Sequence, residues 1–107
     1  MAKPAGLQLS DSEWQQVSAI LQRYLPQYEV WAFGSRVTGK AKPYSDLDLA
    51  VISASPLPLA LLAEIAEAFS ESDLPWKVDL VDWATTSERF QQVIAEQKLA
   101  LPNNQNL

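Results

Sequence analysis

The sequence predicts a small α+β domain, in which helices flank a short mixed β-sheet and the elements follow the order α-β-β-α-β-α. The 107 residues are enough for one domain. Three short runs rich in β-branched and aromatic residues are bounded by turn residues, and the segments around them carry apolar residues at helical spacing behind capping signals. We expect one domain over residues 8–100, with residues 1–7 and 101–107 as loose tails.

The first helix is expected to start at Ser10. Ser10 and Glu13 have the spacing of a capping box, in which each side chain accepts a hydrogen bond from the other residue's backbone. Pro26 ends this helix because proline disrupts helical hydrogen bonding. The first strand then runs from Tyr28 to Phe33, and Gly34 ends it.

The remaining elements alternate between strand and helix. The second strand is predicted over Asp46–Ile52, and a helix follows the Ser-Pro-Leu-Pro stretch and stops before Pro75. The third strand covers Lys77–Trp83, and Thr85 and Glu88 form a second capping box that opens the last helix. Because a helix connects the second and third strands, we expect these two strands to be parallel.

Composition restricts the chemistry. The chain holds no cysteine and no histidine, which excludes thiol nucleophiles, zinc-thiolate sites and imidazole bases. Any bound metal must therefore have oxygen ligands, which favours magnesium or manganese. A net charge of −5 argues against direct nucleic-acid binding. No secretion signal or membrane-spanning stretch is indicated, so we expect a cytoplasmic protein without membrane contact.

A phosphate-binding P-loop is one interpretation of the turn after the first strand. Gly34, Gly39 and Lys40 match most of the pattern G-x-x-x-x-G-K-[ST]. The next residue, however, is Ala41 instead of a hydroxyl residue that could contact a metal. Pro43 would also disrupt the helix that a P-loop requires. A P-loop domain needs a larger parallel sheet as well, so this interpretation is disfavoured.

A pair of carboxylates supports a second interpretation. Asp46 and Asp48 occupy alternate positions of a strand, so their side chains share a face with Cα atoms roughly 6.5 Å apart. They can converge on one or two divalent ions. Gly34 permits a sharp turn whose amides approach an anion, and the Ser35 hydroxyl adds a donor. Arg36, together with Lys40, supplies positive charge for the same phosphates.

The third strand offers two candidates for a third carboxylate. Asp79 and Asp82 are an odd number of positions apart, so they face opposite sides of a regular strand and only one can join the pair. Asp79 lies in mid-strand, where an unpaired charge is costly unless a metal or donor meets it. Asp82 lies near the strand end and is expected to be solvated. We therefore choose Asp79.

The order Gly34-Ser35, ten residues, Asp46-x-Asp48 and a later strand with Asp79 resembles the signature of the DNA polymerase β superfamily of nucleotidyltransferases. The short chain resembles most the minimal nucleotidyltransferase (MNT) group, which is often encoded beside a HEPN-domain protein. This resemblance spans roughly Val30 to Asp82. It implies the nucleotidyltransferase fold and a Mg²⁺-dependent transfer of AMP from ATP to a hydroxyl, with Mn²⁺ as the alternative metal.

The resemblance also implies roles for individual residues. Asp46 and Asp48 match the metal-binding pair, and Asp79 matches the carboxylate that helps to ligate the metal and accepts the proton of the attacking hydroxyl. We assign catalysis and metal binding to these three aspartates. Nucleotide and phosphate binding is assigned to Gly34, Ser35, Arg36 and Ser45.

The group resembles antitoxins of HEPN/MNT toxin–antitoxin systems, some of which adenylylate a tyrosine of a HEPN ribonuclease toxin. Larger relatives have a second helical domain that this chain lacks, so acceptor binding should come from a HEPN partner or from a second copy of the chain. Two hypotheses follow: an antitoxin that transfers AMP to a protein hydroxyl, or a catalytically silent module that neutralises its partner by complex formation. Three clustered like charges favour the enzyme, since they are costly without a cation. A small-molecule acceptor is disfavoured because nothing here can enclose it.

Several other side chains have structural interpretations. Tyr44 is a loop tyrosine beside the acidic pair, and we interpret it as incidental. The glutamates of the second helix form a solvated face, and the larger aromatic residues are expected in the core. The last helix is expected to bury Phe90, Val93 and Ile94. The glutamates of the solvated face are Glu64, Glu67 and Glu71. Besides Phe90, the aromatic residues expected in the core are Trp14, Trp31, Phe33 and Phe69.

Overall fold

The computed structural model describes residues 2–103 and shows a mixed β-sheet with helices on both faces, as predicted. Among residues 2–103, no helix combines the length and apolar character needed to cross a bilayer. The elements are α1 (Asp11–Tyr24), β1 (Glu29–Phe33), α2 (Ser35–Thr38), β2 (Leu47–Ile52), α3 (Leu59–Ser70), β3 (Val78–Asp82), a 3₁₀ turn (Trp83–Thr85), α4 (Glu88–Gln97) and β4 (Leu99–Ala100).

The sheet has the strand order β3-β2-β1-β4. Strands β2 and β3 are parallel, which confirms the expected crossover through a helix, and β1 is antiparallel to both β2 and β4. In this register Asp48 lies opposite Phe33 on one side and opposite Asp79 on the other. The sheet therefore brings the end of β1 and the starts of β2 and β3 together.

The two faces of the sheet carry separate apolar clusters. Odd-numbered residues of β2 lie in the larger core, which α1 and α3 cover. Ala50 belongs to the smaller cluster with Phe33 of β1 and Ile94 of α4. Since side chains two positions apart on a strand share a face, Asp48 lies on the α4 side of the sheet. The larger core behind it holds the strand in place.

The first capping box is confirmed, and the second is wrong. Ser10 Oγ accepts from the Glu13 backbone N–H at 3.1 Å, and Glu13 Oε1 accepts from the Ser10 N–H at 2.9 Å. At the other end of the chain, Thr85 belongs to the 3₁₀ turn and its hydroxyl donates to the Asp82 carbonyl. Ser87 caps α4 instead, by accepting from the Phe90 N–H at 3.2 Å.

The buried face of α4 is narrower than predicted. Ile94 is fully buried, whereas Phe90 and Val93 are 40% and 41% exposed. Of the expected core aromatics, Trp14 and Phe33 are buried, while Trp31 and Phe69 are only partly covered. Since α4 is the only helix on its face of the sheet within residues 2–103, a second layer that would cover Phe90 is missing there.

The expected tails partly pack against the domain. Leu7 and Leu101 are buried, so the packed part of the domain extends beyond residues 8 and 100 at both ends. Asn103 is fully buried, and its side-chain amide donates to the carbonyls of Leu25 and Tyr28 at 2.9 and 3.0 Å. These bonds fix the turn between α1 and β1. The rest of the predicted tails, residue 1 and residues 104–107, lies outside the described residues.

Candidate active site

The turn from β1 into α2 brings the backbone against an acidic side chain. Gly34 has φ +81° and ψ −160°, a region that side-chain-bearing residues essentially do not enter. A Cβ at this position would lie 2.3 Å from Oδ2 of Asp48. The Gly34 N–H donates to Oε1 of Gln97 at 2.9 Å, which ties the turn to the end of α4. Glycine is therefore required here both by the backbone and by the space beside Asp48.

Two of the three predicted carboxylates are direct neighbours. Asp48 and Asp79 are opposite each other in the parallel pair β2–β3, so their side chains project from the same face. Asp46 is exposed and comes one residue before β2 begins. The structure thus places all three aspartates at the same end of this strand pair.

The pKa of Asp48 reflects its burial and the closeness of the other two aspartates. Burial of the half-buried carboxyl is the main cause that raises its pKa above the ordinary value, and the negative charges of Asp79 and Asp46 raise it further. Each cause disfavours the ionised form. A cation placed among the three side chains would reverse the effect of the two charged neighbours.

The aspartates do not form a closed metal cage as they stand. Within residues 2–103, no three acidic side chains are close enough together to hold a metal ion. The donor set is nevertheless all-carboxylate, which suits a hard divalent cation. Because Asp46 is exposed and precedes the strand, its side chain has the freedom to turn toward Asp48.

Arg36 has a different position from the one predicted. The residue is only 5% exposed, and its guanidinium donates to the carbonyls of Ser45 (2.9 Å), Gln8 (2.8 Å), Pro43 (3.1 Å) and Lys42 (3.4 Å). It also stacks over the Trp76 ring at 4.5 Å. Burial lowers the pKa of Arg36, which Glu13 and Asp46 partly oppose.

These contacts argue against the predicted role of Arg36 in phosphate binding, because backbone carbonyls accept from four of its five N–H donors. The guanidinium instead holds the loop of residues 42–45 that leads into Asp46. Position in the sequence could not show this, since an arginine after a glycine turn can point outward to a ligand or inward to the backbone. Arg36 is a positioning residue for the start of β2.

The two serine candidates lie at the start of α2 and at the end of this loop. Ser35 is the half-buried first residue of α2. Ser45 Oγ accepts from the Lys42 N–H at 2.9 Å, which closes a turn and leaves its hydroxyl proton available. Phosphate binding by Gly34, Ser35 and Ser45 stays a prediction. The neighbouring Tyr44 is 77% exposed.

Asp82 is excluded from the cluster by its own contacts. Its carboxylate accepts from the Ser53 hydroxyl at 2.6 Å and from the Leu57 N–H at 2.9 Å, and it lies opposite Val51 at the far end of the strand pair. The expectation that it is solvated is wrong. It instead ties the end of β3 to the loop between β2 and α3.

Two residues of α4 that lie beside the cluster were not predicted as part of the site. Gln97 accepts from the Gly34 N–H, although 63 positions separate them, and no local signal marks such a contact. The Phe90 ring meets Phe33 edge-on, with centroids 5.8 Å apart. Since Phe33 is the strand neighbour of Asp48, α4 forms one flank of the acidic cluster.

Comparison with known proteins identifies the same architecture. Residues 15–101 match the model of the nucleotidyltransferase domain family. The chain is 58% identical to the probable protein adenylyltransferase MntA of Haemophilus influenzae over 94 aligned residues. The alignment covers 88% of this chain and 82% of that protein. These matches confirm the resemblance inferred from the glycine–serine turn and the aspartates.

Solved structures show the fold directly. A crystal structure of a toxin–antitoxin with AMP-PNP superposes with a TM-score of 0.67 at 29% identity, covering 80% of this chain and 69% of that chain. A second structure superposes with a TM-score of 0.59 at 28% identity, and it shows the tri-AMPylated HEPN toxin of Shewanella oneidensis in complex with MNT antitoxin. The match covers 80% of this chain and 66% of the matched chain. With the family model spanning most of its length, the chain belongs to the nucleotidyltransferase domain family.

Proposed function

We propose that this chain is a protein adenylyltransferase that transfers AMP from ATP to a hydroxyl of a HEPN-domain toxin and thereby acts as its antitoxin. The observation that carries the proposal is the pairing of Asp48 with Asp79 across β2 and β3, with Asp46 one residue before β2. The 58% identity to a probable protein adenylyltransferase supports the reaction class. Similarity to toxin–antitoxin complexes, one with AMP-PNP and one with a tri-AMPylated HEPN toxin, supports the nucleotide and the partner.

The proposed reaction is an in-line displacement at the α-phosphorus of ATP. The acceptor oxygen forms a bond to this phosphorus, the bond to the bridging oxygen of the β-phosphate breaks, and pyrophosphate leaves. A magnesium ion held by Asp46, Asp48 and Asp79, or manganese in its place, would supply positive charge at the triphosphate. We place the reaction in the cytoplasm, where ATP is available.

Residues around the acidic cluster have separate roles in the proposed reaction. Asp79 is exposed at the start of β3, where it can accept the proton of the attacking hydroxyl. The absence of a Cβ at Gly34 leaves room for Asp48 and for a phosphate beside it. The hydroxyls of Ser35 and Ser45 would provide neutral donors for the phosphates.

The binding of nucleotide tests the metal site. We expect Mg-ATP to stabilise the chain far more than ATP with a chelator, because carboxylates alone repel a triphosphate. At a ligand concentration of 100 times Kd the gain is about 2.7 kcal/mol, which a thermal melt detects. Equal shifts with and without the metal would contradict a carboxylate-bound cation.

Label transfer tests the reaction itself. The chain is co-purified with its proposed HEPN-domain partner and incubated with α-labelled ATP. We expect label on the partner, its loss in Asp48→Asn, and its retention in the control Asp73→Asn, which alters an exposed acid in the loop before β3. A partner that is neutralised without label would instead support the silent binding module.

A further inference from the structure

The outer edge of β3 has no strand beside it within residues 2–103, since β3 lies at the end of the sheet order. The Leu47 N–H donates to the Lys77 carbonyl at 2.9 Å, which fixes the phase of the parallel ladder. In such a ladder alternate residues face the neighbouring strand, so Asp79 and Val81 pair with β2. Val78 and Leu80 consequently direct their N–H and C=O groups away from the sheet.

An apolar groove runs along this free edge, between β3 and α3. It consists of two adjoining cavities of about 440 and 310 Å³, both lined by Ala66, Phe69 and Val78. The smaller cavity is also lined by Asp79 and Leu80. The groove thus combines a row of unpaired backbone groups with a largely apolar wall, and it passes the position of Asp79, whose carboxylate projects from the opposite face of the sheet.

We propose that this edge binds an extended segment of the protein acceptor as an additional β-strand, and that the segment carries the hydroxyl to be modified. This inference rests on the proposed function. An exposed strand edge is satisfied by an extended chain, whose main-chain hydrogen bonds provide affinity and whose alternate side chains provide specificity. The smaller cavity beside Leu80 has an apolar wall on α3, whereas Ser70 and Lys77 line the larger one, so the apolar side chains of the segment fit best beside Leu80.

The two faces of β3 explain why the acceptor should bind here. Val78 and Leu80 pack against the core beneath α3, whereas Asp79 projects from the other face, beside Asp48. Successive side chains of an added strand point to the same two faces. One residue therefore enters the groove while the next lies on the face of Asp79, where directly opposed side chains are about 4.5–5.5 Å apart at Cβ.

This geometry defines the substrate class. The bound segment has an apolar residue on either side of the acceptor residue, in the order apolar–hydroxyl–apolar. The hydroxyl then meets Asp79 from the open edge of the sheet, while the nucleotide occupies the side of Gly34 and Asp48. An acceptor that approached across α3 would meet the groove instead of the carboxylates.

Amide hydrogen exchange tests the strand pairing. Residue-resolved exchange is measured by NMR for the free chain and for its complex with the HEPN partner. The amides of Val78 and Leu80 should exchange at least about tenfold more slowly in the complex, because they gain hydrogen-bond acceptors. Asp79 and Val81, already bonded to β2, serve as internal references.

Two outcomes of this measurement would overturn the inference. The first is unchanged exchange at Val78 and Leu80 in a complex that has formed. The second is protection of these amides in the free chain that disappears on dilution, since the occupant would then be a second copy of the chain.

A substitution in the groove tests the role in modification. Ala66 is exposed on α3, so Ala66→Glu places a charge in the groove without entering the core. We expect the kcat/KM for the partner to fall about tenfold or more, with the Mg-ATP melting shift unchanged. The matched control is Ala63→Glu, on the same helix and also exposed, which should modify the partner at the original rate.

The outcomes separate the two proposals. If the unaltered chain labels its partner and Ala66→Glu labels it equally fast, the strand-addition inference fails while the proposed function stands. If the unaltered chain does not label its partner, the proposed function fails, and the exchange of Val78 and Leu80 still decides whether this edge is where the partner binds.

Discussion

Replacing Gly34 with alanine tests whether the turn and the acidic cluster depend on each other. The backbone at Gly34 lies in a region that other residues enter at a cost of about 1–3 kcal/mol. In addition, the new Cβ would lie 2.3 Å from Oδ2 of Asp48, against an ordinary contact of at least 3.4 Å. The carboxylate oxygen must therefore retreat by about 1 Å.

This displacement predicts a loss of activity on top of a loss of stability. A misplacement of about 1 Å costs on the order of 100-fold in rate, and we expect that reduction in label transfer from α-labelled ATP. The backbone cost alone lowers Tm by about 4 °C or more, at about 4–8 °C per kcal/mol for a domain of this size. Thermal denaturation and initial-rate measurements at one temperature, below both transitions, separate the two effects.

Gly39 provides the matched control. It also has a positive φ, +84°, but an added Cβ would meet no atom within 4 Å. Gly39→Ala should lose about 1–2 kcal/mol of stability and keep the original rate of transfer. If Gly34→Ala is destabilised to a similar extent but transfers AMP as fast as Gly39→Ala, the contact with Asp48 does not position the carboxylate and the reasoning is refuted.

The remaining predictions concern one acidic and one basic side chain. The pKa of Asp48 is raised in the folded state, so the metal-free protein should lose stability as pH rises from about 3.9 through the raised value. Asp48→Asn should therefore have a higher Tm than the original chain at pH 7 in EDTA, with the difference vanishing below about pH 4; parallel curves would contradict this. Arg36→Lys should lower the free energy of unfolding in urea by about 3 kcal/mol or more, because lysine cannot replace several charge-assisted bonds to buried carbonyls. The exposed Lys40→Ala serves as its control, and an Arg36→Lys variant as stable as this control would restore the phosphate interpretation.

Features specified by neighbouring residues could be predicted from the sequence. The capping box at Ser10 and Glu13 depends on four consecutive residues, and it forms as expected. The two-residue period of strands showed that only one of Asp79 and Asp82 could lie beside Asp48, and the mid-strand position of Asp79 favoured the residue that the structure places there. The capping box at Thr85 failed because Ser87 offers an equally good cap two residues later, and only the position of the 3₁₀ turn decides between them.

Features set by distant parts of the chain could not be predicted in this way. The direction of Arg36 depends on the carbonyls of a loop that follows it and on Trp76, forty positions away. The contact of Gln97 with Gly34 requires the last helix to return over the sheet. The exposure of Phe90 reflects the lack of a further layer over α4 within residues 2–103, which a helical pattern does not reveal.

The position of Asp79 on an edge strand has a consequence for self-association. Unpaired strand edges invite identical chains to stack into aggregates, and proteins discourage this with short strands and charged side chains at the edge. Strand β3 has five residues, of which two are aspartates. Two copies meeting along this edge would bring like charges together, so the carboxylate proposed for chemistry would also oppose stacking of identical chains on the open sheet.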